Sequence, residues 1–175
     1  MDALAAYDIP VSGLKNGVHL FDYQLDSAFF GHFPNSLITE GNFEVQLVFE
    51  KRVDLYELQF SFTGEMATTC DRCLAPIRFP LAGTNCLLVK FSDEPSDDED
   101  ILYIPAKSEK LNVAPYLYEY IGLKVPFVKT YDCATEAEPP CDTEMLKHLD
   151  DNQPSDSAPA EDNPAWDALR NIKFK

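Results

Sequence analysis

The chain has 175 residues, 45% of them hydrophobic, and a formal net charge of -16 at pH 7. That length fits one domain with tails, and the hydrophobic content is enough for a sizeable core. The negative charge argues against the broad basic surface that neutralises nucleic-acid phosphates, so a basic protein is the easier partner. No apolar stretch approaches the roughly 20 residues of a membrane span, and residues 1–9 lack a signal-peptide pattern. We therefore expect a cytoplasmic protein that contacts no membrane.

The first predicted strand follows a turn at residues 15–17 and runs from Val18 to Leu25. Both of its faces are mostly apolar, which is typical of a strand in the interior of a sheet. A short helical turn rich in aromatic residues comes next, and either Asp26 or Ser27 is suited to cap it. The pattern predicts an interior strand followed by an aromatic plug of the core.

The clearest β signal is the alternation of apolar and polar residues from Phe43 to Glu65, interrupted by a turn at residues 51–54. A period of two predicts antiparallel strands with one face in the core and the other in water. The same parity places Cys70 on the core-facing side, unless Gly64 marks a bulge that reverses the register.

The chain then reverses within the turn Cys70–Cys73 and returns through a strand that we expect to break at Gly83. This is the pattern of an antiparallel meander. Further on, a helix is predicted near residues 112–123, with Asn112 as its N-cap and Pro115 in its first turn.

The composition divides the chain into three parts. We assign residues 1–131 to a β-rich core domain and residues 132–162 to an acidic, Pro-rich and partly disordered segment with a short helix near Met145. Residues 163–175 begin with Asn-Pro, a strong helix start, and form a C-terminal docking helix in which Trp166 is an anchor to the core. The fold class is α+β, mainly an antiparallel β-sheet or open barrel with a few short helices.

The sharpest motif is the C-x-x-C pair of Cys70 and Cys73, because two thiolates at that spacing can chelate one zinc ion. A zinc site usually needs four ligands. Cys133 and Cys141 are the candidates for the other two, although seven residues separate them, and His148 is a substitute for one. A four-cysteine zinc site, a cysteine cluster without metal and a redox pair all remain open.

No other pattern in the sequence is typical of an enzyme. The C-x-x-C turn leads into a strand, whereas a thioredoxin-type pair opens a helix whose N-terminus stabilises the thiolate. The three histidines lie in unrelated contexts, and there is no nucleophile elbow, phosphate-binding glycine loop or H-E-x-x-H motif. We expect no catalytic activity, no small-molecule substrate and no cofactor other than zinc.

Four segments together resemble the YceD family. They are the motif Thr69-Cys70-Asp71-Arg72-Cys73-Leu74-Ala75-Pro76-Ile77, the opening Ile9–Leu14 with Phe21, the segment Leu111–Pro126, and the ending Asn163–Leu169. The resemblance implies a bacterial-type factor for the synthesis, processing or stability of 23S ribosomal RNA and for large-subunit assembly, with no established catalytic activity. The chain departs from the cysteine-rich members of that family, since only Cys133 and Cys141 remain in its C-terminal half.

Two kinds of partner follow from this resemblance and from the charge. The first is a basic ribosomal protein that the acidic body shields. The second is ribosomal RNA, contacted through local cations such as Arg72 and Arg78, with Lys51 and Arg52 on the same rim.

Overall fold

The computed structural model describes residues 3–92, 101–105, 107–131 and 139–151. In chain order the elements are a 3-10 helix (Ala3–Tyr7), β1 (Asp8–Ile9), β2 (Gly17–Leu25), α1 (Ser27–Phe30), β3 (Gly41–Lys51), β4 (Leu55–Thr69), β5 (Pro76–Phe91), β6 (Ile101–Ile104), β7 (Leu111–Asn112), α2 (Ala114–Gly122) and α3 (Thr143–Asp151). The main sheet has five strands in the order β2-β3-β4-β5-β6. Strands β2 to β5 are antiparallel neighbours, and β6 pairs with β5 in parallel. The predicted α+β class is confirmed, with an open sheet.

Strands β3 and β4 have the predicted alternation, and no bulge interrupts it. Gly64 pairs with Phe43 in continuous register. A Cβ on Gly64 would lie only 2.2 Å from the backbone oxygen of Asn42, so glycine is required there because β3 comes too close. The parity therefore continues through β4, and Cys70 is buried as predicted.

The predicted break at Gly83 is wrong, because β5 pairs with β4 continuously from Pro76 to Lys90. A Cβ on Gly83 would meet the Lys124 side chain at 2.8 Å and the Phe62 ring at 2.9 Å. The glycine therefore accommodates a close approach of side chains within a strand and does not form a turn.

The prediction that residues 18–25 form an interior strand is also wrong, because β2 is an edge strand. Phe21 and Tyr23 pack against the core on one face. On the other face Val18 and Leu20 are 61% and 63% exposed. Apolar residues on both faces therefore do not distinguish an interior strand from an edge strand with an exposed apolar side.

A layer of short helices covers the inner face of the sheet. In α1 the Asp26 carboxylate accepts hydrogen bonds from the backbone N–H groups of Ala28 and Phe29, at 3.0 and 3.1 Å, which satisfies donors that the helix leaves unpaired. The short helix places Phe29 and Phe30 in the core, so the expected aromatic plug is present.

Helix α2 begins at Ala114 with Val113 at the N-cap position, one residue later than predicted. Asn112 belongs to β7 instead, yet its side-chain oxygen still accepts a hydrogen bond from the Ala114 N–H at 3.0 Å. Leu117 and Ile121, one turn apart, point into the core.

A second sheet of two strands, each two residues long, joins the beginning of the described chain to α2. β1 pairs with β7 through Asp8 and Asn112, and the Asn112 amide donates to the Asp8 carboxylate at 2.7 Å. That hydrogen bond lowers the pKa of Asp8. We call this β1–β7 pairing the clasp.

Helix α3 is the short helix expected near Met145, and the Asp142 carboxylate caps it by accepting from the N–H groups of Glu144 and Met145. The C-terminal docking helix predicted for residues 163–175 lies outside the described residues. Within the described chain, no helix is long and apolar enough to cross a membrane.

Candidate functional site

The outer face of the sheet is built by the residues that alternate with the core residues of the same strands. The exposed members on its four antiparallel strands are mainly polar or acidic. Because the inner face already carries the helices, the sheet is a two-layer structure in which one side stays in contact with water. This outer face is the larger of two candidate sites.

A groove of about 730 Å³ crosses the outer face from β2 to β5. Asp22 and Glu44 lie at one side of it, and Thr84 and the small Ala82 lie at the other. A concavity of this size is within the range of ligand sites, which is roughly 300–1,000 Å³. The groove can therefore receive side chains of a partner.

The strand register arranges three carboxylates in a diagonal line, which we call the acidic track: Asp22, Glu44 and Glu65. Asp22 faces Gln46, and Glu44 lies two residues before Gln46 in β3. In the same way Glu44 faces Thr63, two residues before Glu65 in β4. Diagonal neighbours of this kind are about 7–8 Å apart.

The acidic track has no counterion in the described part of the chain, where no lysine or arginine forms an ion pair with its three carboxylates. Its polar contact is a long one, from the Gln46 amide to Asp22 at 3.5 Å. Elsewhere on the face Arg52 neutralises Glu50 and Glu57, at 2.8 and 3.3 Å. The track is therefore the unneutralised part of the face.

The four cations considered for RNA contact do not lie together. Lys51 pairs with Tyr56 at one end of β4, whereas Arg78 pairs with Ala67 near the other end. The two pairing positions are eleven residues apart, which is roughly 35 Å along a strand. The structure thus places Lys51 and Arg52 at one end of the sheet and Arg72 and Arg78 at the other.

Three of these cations are engaged by the chain itself. The Lys51 ammonium donates to the backbone oxygens of Val11 and Leu14 at 2.7 and 2.8 Å. Arg52 bridges the glutamates described above, and Arg78 forms an ion pair with Glu40. Arg72 is exposed in the turn between β4 and β5.

The second candidate site is the turn that carries Cys70 and Cys73. Both side chains are 1% exposed. Burial raises the pKa of the Cys70 thiol, but hydrogen bonds from the backbone N–H groups of Tyr131, Cys73 and Arg72 outweigh it and lower the pKa to about 7. Converging backbone N–H groups form a concavity that stabilises an anion, so the turn favours a thiolate at Cys70.

The backbone closes this turn tightly. The Leu74 N–H donates to the Cys70 oxygen and the Cys70 N–H donates to the Ala75 oxygen, both at 2.8 Å. Leu74 itself has φ of +59°, a left-handed conformation that a residue with a Cβ adopts at some cost. The turn thereby holds its two thiols in place before any ligand arrives.

The turn has a small hydrophobic cluster of its own, apart from the main core. Cys70, Cys73 and Ile77 are buried in it, and Cys141 and Met145 pack against it from the segment of α3. Cys141 is disulfide-bonded in this structure, and Cys133 lies outside the described residues. Of the four predicted zinc ligands, three are thus brought to one cluster.

Within residues 3–92, 101–105, 107–131 and 139–151, no group of three His, Cys, Asp or Glu residues is placed to hold a metal ion. His148 is exposed on α3. Cys86, in β5, is exposed on the outer face.

The acidic track was not identified from the sequence. Its residues are recognisable as the polar members of alternating strands, but their alignment depends on the register between strands. A shift of one residue would move a whole side-chain set to the opposite face.

The comparison with family models gives one match, over residues 58–173, to the family described as "Large ribosomal RNA subunit accumulation protein YceD". No curated protein and no solved structure matches the chain significantly. The matched range includes β4 from Leu58 onward, β5, the cysteine turn, α2 and α3, and it covers most of the chain. The chain therefore belongs to the YceD family, whose description links it to the accumulation of large-subunit ribosomal RNA.

Proposed function

We propose that this protein is a non-enzymatic cytoplasmic factor that supports the synthesis, processing or stability of 23S ribosomal RNA and the assembly of the large subunit. It does so by binding a basic ribosomal protein on the outer face of its sheet. The observation that carries the proposal is the acidic track, of which Asp22 and Glu44 line the open groove, and which has no ion-pair partner among the described residues.

The charge pattern fits lysine and arginine side chains of an extended partner segment. Alternate residues of an extended chain point the same way at intervals of roughly 6.6–7 Å, close to the 7–8 Å step of the track. The net charge of -16 adds a long-range attraction that accelerates encounter with a basic protein. Polar neighbours such as Gln46 and Thr84 supply hydrogen-bonding groups along the groove.

Direct binding to ribosomal RNA is the weaker version of this proposal. Phosphate contacts need available cations, and here the four candidates are divided between two ends of the sheet, with three already bound within the chain. Arg72 and Arg78 remain the candidates for a local RNA contact, since they lie at the same end.

The test is affinity purification of the tagged protein from its native lysate, with proteins and RNA of the eluate identified. The informative variant is Asp22→Asn with Glu44→Gln and Glu65→Gln. Its matched control, Asp54→Asn with Glu109→Gln and Glu144→Gln, removes the same charge at exposed positions outside the track. We expect the first variant to lose ribosomal protein and the control to retain it.

Salt and ribonuclease treatment distinguish the two partners. If the acidic track binds a ribosomal protein, the amount of that protein in the eluate should fall as the salt concentration rises and should not change after ribonuclease treatment. Loss of recovery after ribonuclease, or in Arg72→Ala with Arg78→Ala, indicates an RNA contact instead. An eluate without ribosomal protein or 23S precursor in any arm contradicts the proposed function.

A second candidate function is that of a zinc-binding structural module, and the geometry of the cysteine turn supports it. The turn holds the buried Cys70 and Cys73 together and lowers the pKa of the Cys70 thiol to about 7, and Cys141 packs against their cluster. A four-cysteine site with Cys133 requires Cys141 as a thiolate, so the protein must be purified in a thiol reductant. By contrast, the burial of Cys70 and Cys73 works against a thiol oxidoreductase, whose attacking thiol must meet its substrate.

Elemental analysis of freshly purified protein tests the zinc module. We expect about one equivalent of zinc, lost in Cys73→Ser and retained in the control Cys86→Ser. Chelation should lower the melting temperature of the wild type and leave that of Cys73→Ser unchanged. The absence of zinc from the wild type and from both the Cys73→Ser and Cys86→Ser variants would eliminate this candidate.

A further inference from the structure

An apolar groove lies between the end of α2 and the segment that connects α1 to β3. Leu37 and Ile38 form one wall and Tyr118, Gly122 and Leu123 form the other, around a volume of about 330 Å³. Ile38 is buried, whereas Leu37 and Leu123 are 70% and 75% exposed. The groove is separate from the acidic track and from the cysteine turn.

The chain that leaves this groove continues to expose apolar side chains. The Val125 N–H donates to the Gly122 oxygen, which turns the backbone directly after α2. Phe127 is then fully exposed and Val128 is 66% exposed. Leu123, Phe127 and Val128 thus lie exposed within six residues of the chain, with the charged Lys124 between them, and grouped apolar exposure of this kind is typical of a binding surface.

We propose that the occupant of the apolar groove is the C-terminal segment of the same chain, residues 163–175, anchored by Trp166 and Leu169. These two residues are spaced by three, and Ile172 follows at the same spacing, so a helix would present them on one face. A Trp anchored in an apolar groove buries roughly 150–250 Å² of surface. The proposal is independent of the ribosomal partner.

The length of the chain allows this docking. Fifteen residues lead from Asp151, the last described residue, to Trp166. Extended, they reach up to roughly 50 Å, whereas a domain of this size has a radius of gyration of about 15 Å. The linker is therefore long enough for the anchor to reach surfaces well away from α3.

Charge also favours this occupant. Arg170, Lys173 and Lys175 lie in the last six residues, and no acidic residue follows Asp167. The groove carries Glu119 and belongs to a chain with a net charge of -16. The family match extends to residue 173, so the segment belongs to the same family region as the groove wall in α2.

Trp166 is the only tryptophan of the chain, so its fluorescence reports on this segment alone. The experiment measures acrylamide quenching of the full-length protein against a synthetic peptide of residues 160–175. We expect quenching of the wild type to be several-fold weaker than that of the peptide. Quenching of the wild type as strong as that of the peptide overturns the proposal.

Two substitutions locate the docking site by different means. Gly122→Leu places a side chain in the groove that Gly122 lines. Because a Cβ on Gly122 meets nothing within 4 Å, the domain should still fold normally. Leu123→Asp makes the wall polar, and Val53→Asp at an 85% exposed position in the β3–β4 turn is its control. We expect peptide-like quenching in the first two and wild-type quenching in the control. Protection that survives Gly122→Leu or Leu123→Asp, in protein folded by circular dichroism, overturns the proposal.

Discussion

The inner and outer faces of the five-stranded sheet come from alternating residues of the same strands, but they differ in what covers them. Leu47, Leu58 and Phe60 on the inner face are at most 1% exposed and pack under the helices. Glu44 and Glu65, on the same two strands, remain in water. Changes on one face should therefore affect stability, and changes on the other should affect binding.

The largest expected effect is on the inner face. Phe60→Ala removes a buried ring that packs against Tyr120, with centroids 5.2 Å apart, and should lower the free energy of unfolding by about 3–5 kcal/mol. Its neighbour Ser61 points to the outer face, so Ser61→Ala should change that free energy by less than about 0.5 kcal/mol. Urea unfolding measures both, and equal losses would contradict the division between faces.

The second effect concerns the spacing of β3 and β4. Gly64→Ala puts a methyl group into the backbone of β3 and should cost about 1–3 kcal/mol or more, because neither strand can move without disturbing the core. Gly122→Ala is the control, since its methyl group meets nothing and alanine favours a helix. Thermal unfolding should show a lower melting temperature only for Gly64→Ala.

Neutralising the acidic track should have opposite effects on stability and on binding: the protein should become more stable but should bind its basic partner less well. Neutralising Asp22, Glu44 and Glu65 removes repulsion between like charges about 7–8 Å apart, which should stabilise the protein by about 0.5–1 kcal/mol at low ionic strength. The gain should disappear in high salt, because screening removes the same repulsion from the wild type. Urea unfolding at two salt concentrations checks this. A destabilised variant would show that the track has a structural role.

The smallest effect is expected at the exposed ion pair of Arg78 and Glu40. Both side chains are more than half exposed, so Arg78→Ala should change the free energy of unfolding by only about 0.3 kcal/mol. A double-mutant cycle with Glu40→Ala measures the coupling directly. A coupling above about 1 kcal/mol would mean that this pair is part of the fold and not an available contact.

The sequence predicted those parts of the fold in which a local pattern is sufficient. The alternation around Phe43 and Phe60 gave β3 and β4, and its parity gave the burial of Cys70. The edge position of β2 was missed, because it depends on the order of the strands in the sheet. The exposure of Leu20 depends in turn on its place on the outer face, opposite the helices. Periodicity also does not report the direction in which β6 pairs with β5, nor the clasp, whose partners lie about one hundred residues apart in sequence.

The candidate sites divide in the same way. The C-x-x-C spacing identified Cys70 and Cys73, because both ligands of the pair come from one turn. The acidic track and the apolar groove depend on register and on packing between distant segments, as when Leu37 meets Leu123. Such sites become visible only once the strands and helices are assembled.

The clasp also constrains the order in which the protein folds. Strand β3 is joined to β4 by residues 52–54 and β4 to β5 by residues 70–75, whereas the longer connection from β2 to β3 carries α1. The pairing of these strands can begin as soon as neighbouring segments leave the ribosome. Asp8 must wait for Asn112, about one hundred residues later, and closing so long a loop has an entropic cost that only the formed core repays. We therefore expect docking of α2 and closure of the clasp to be late events, so that weakening the clasp should mainly accelerate unfolding.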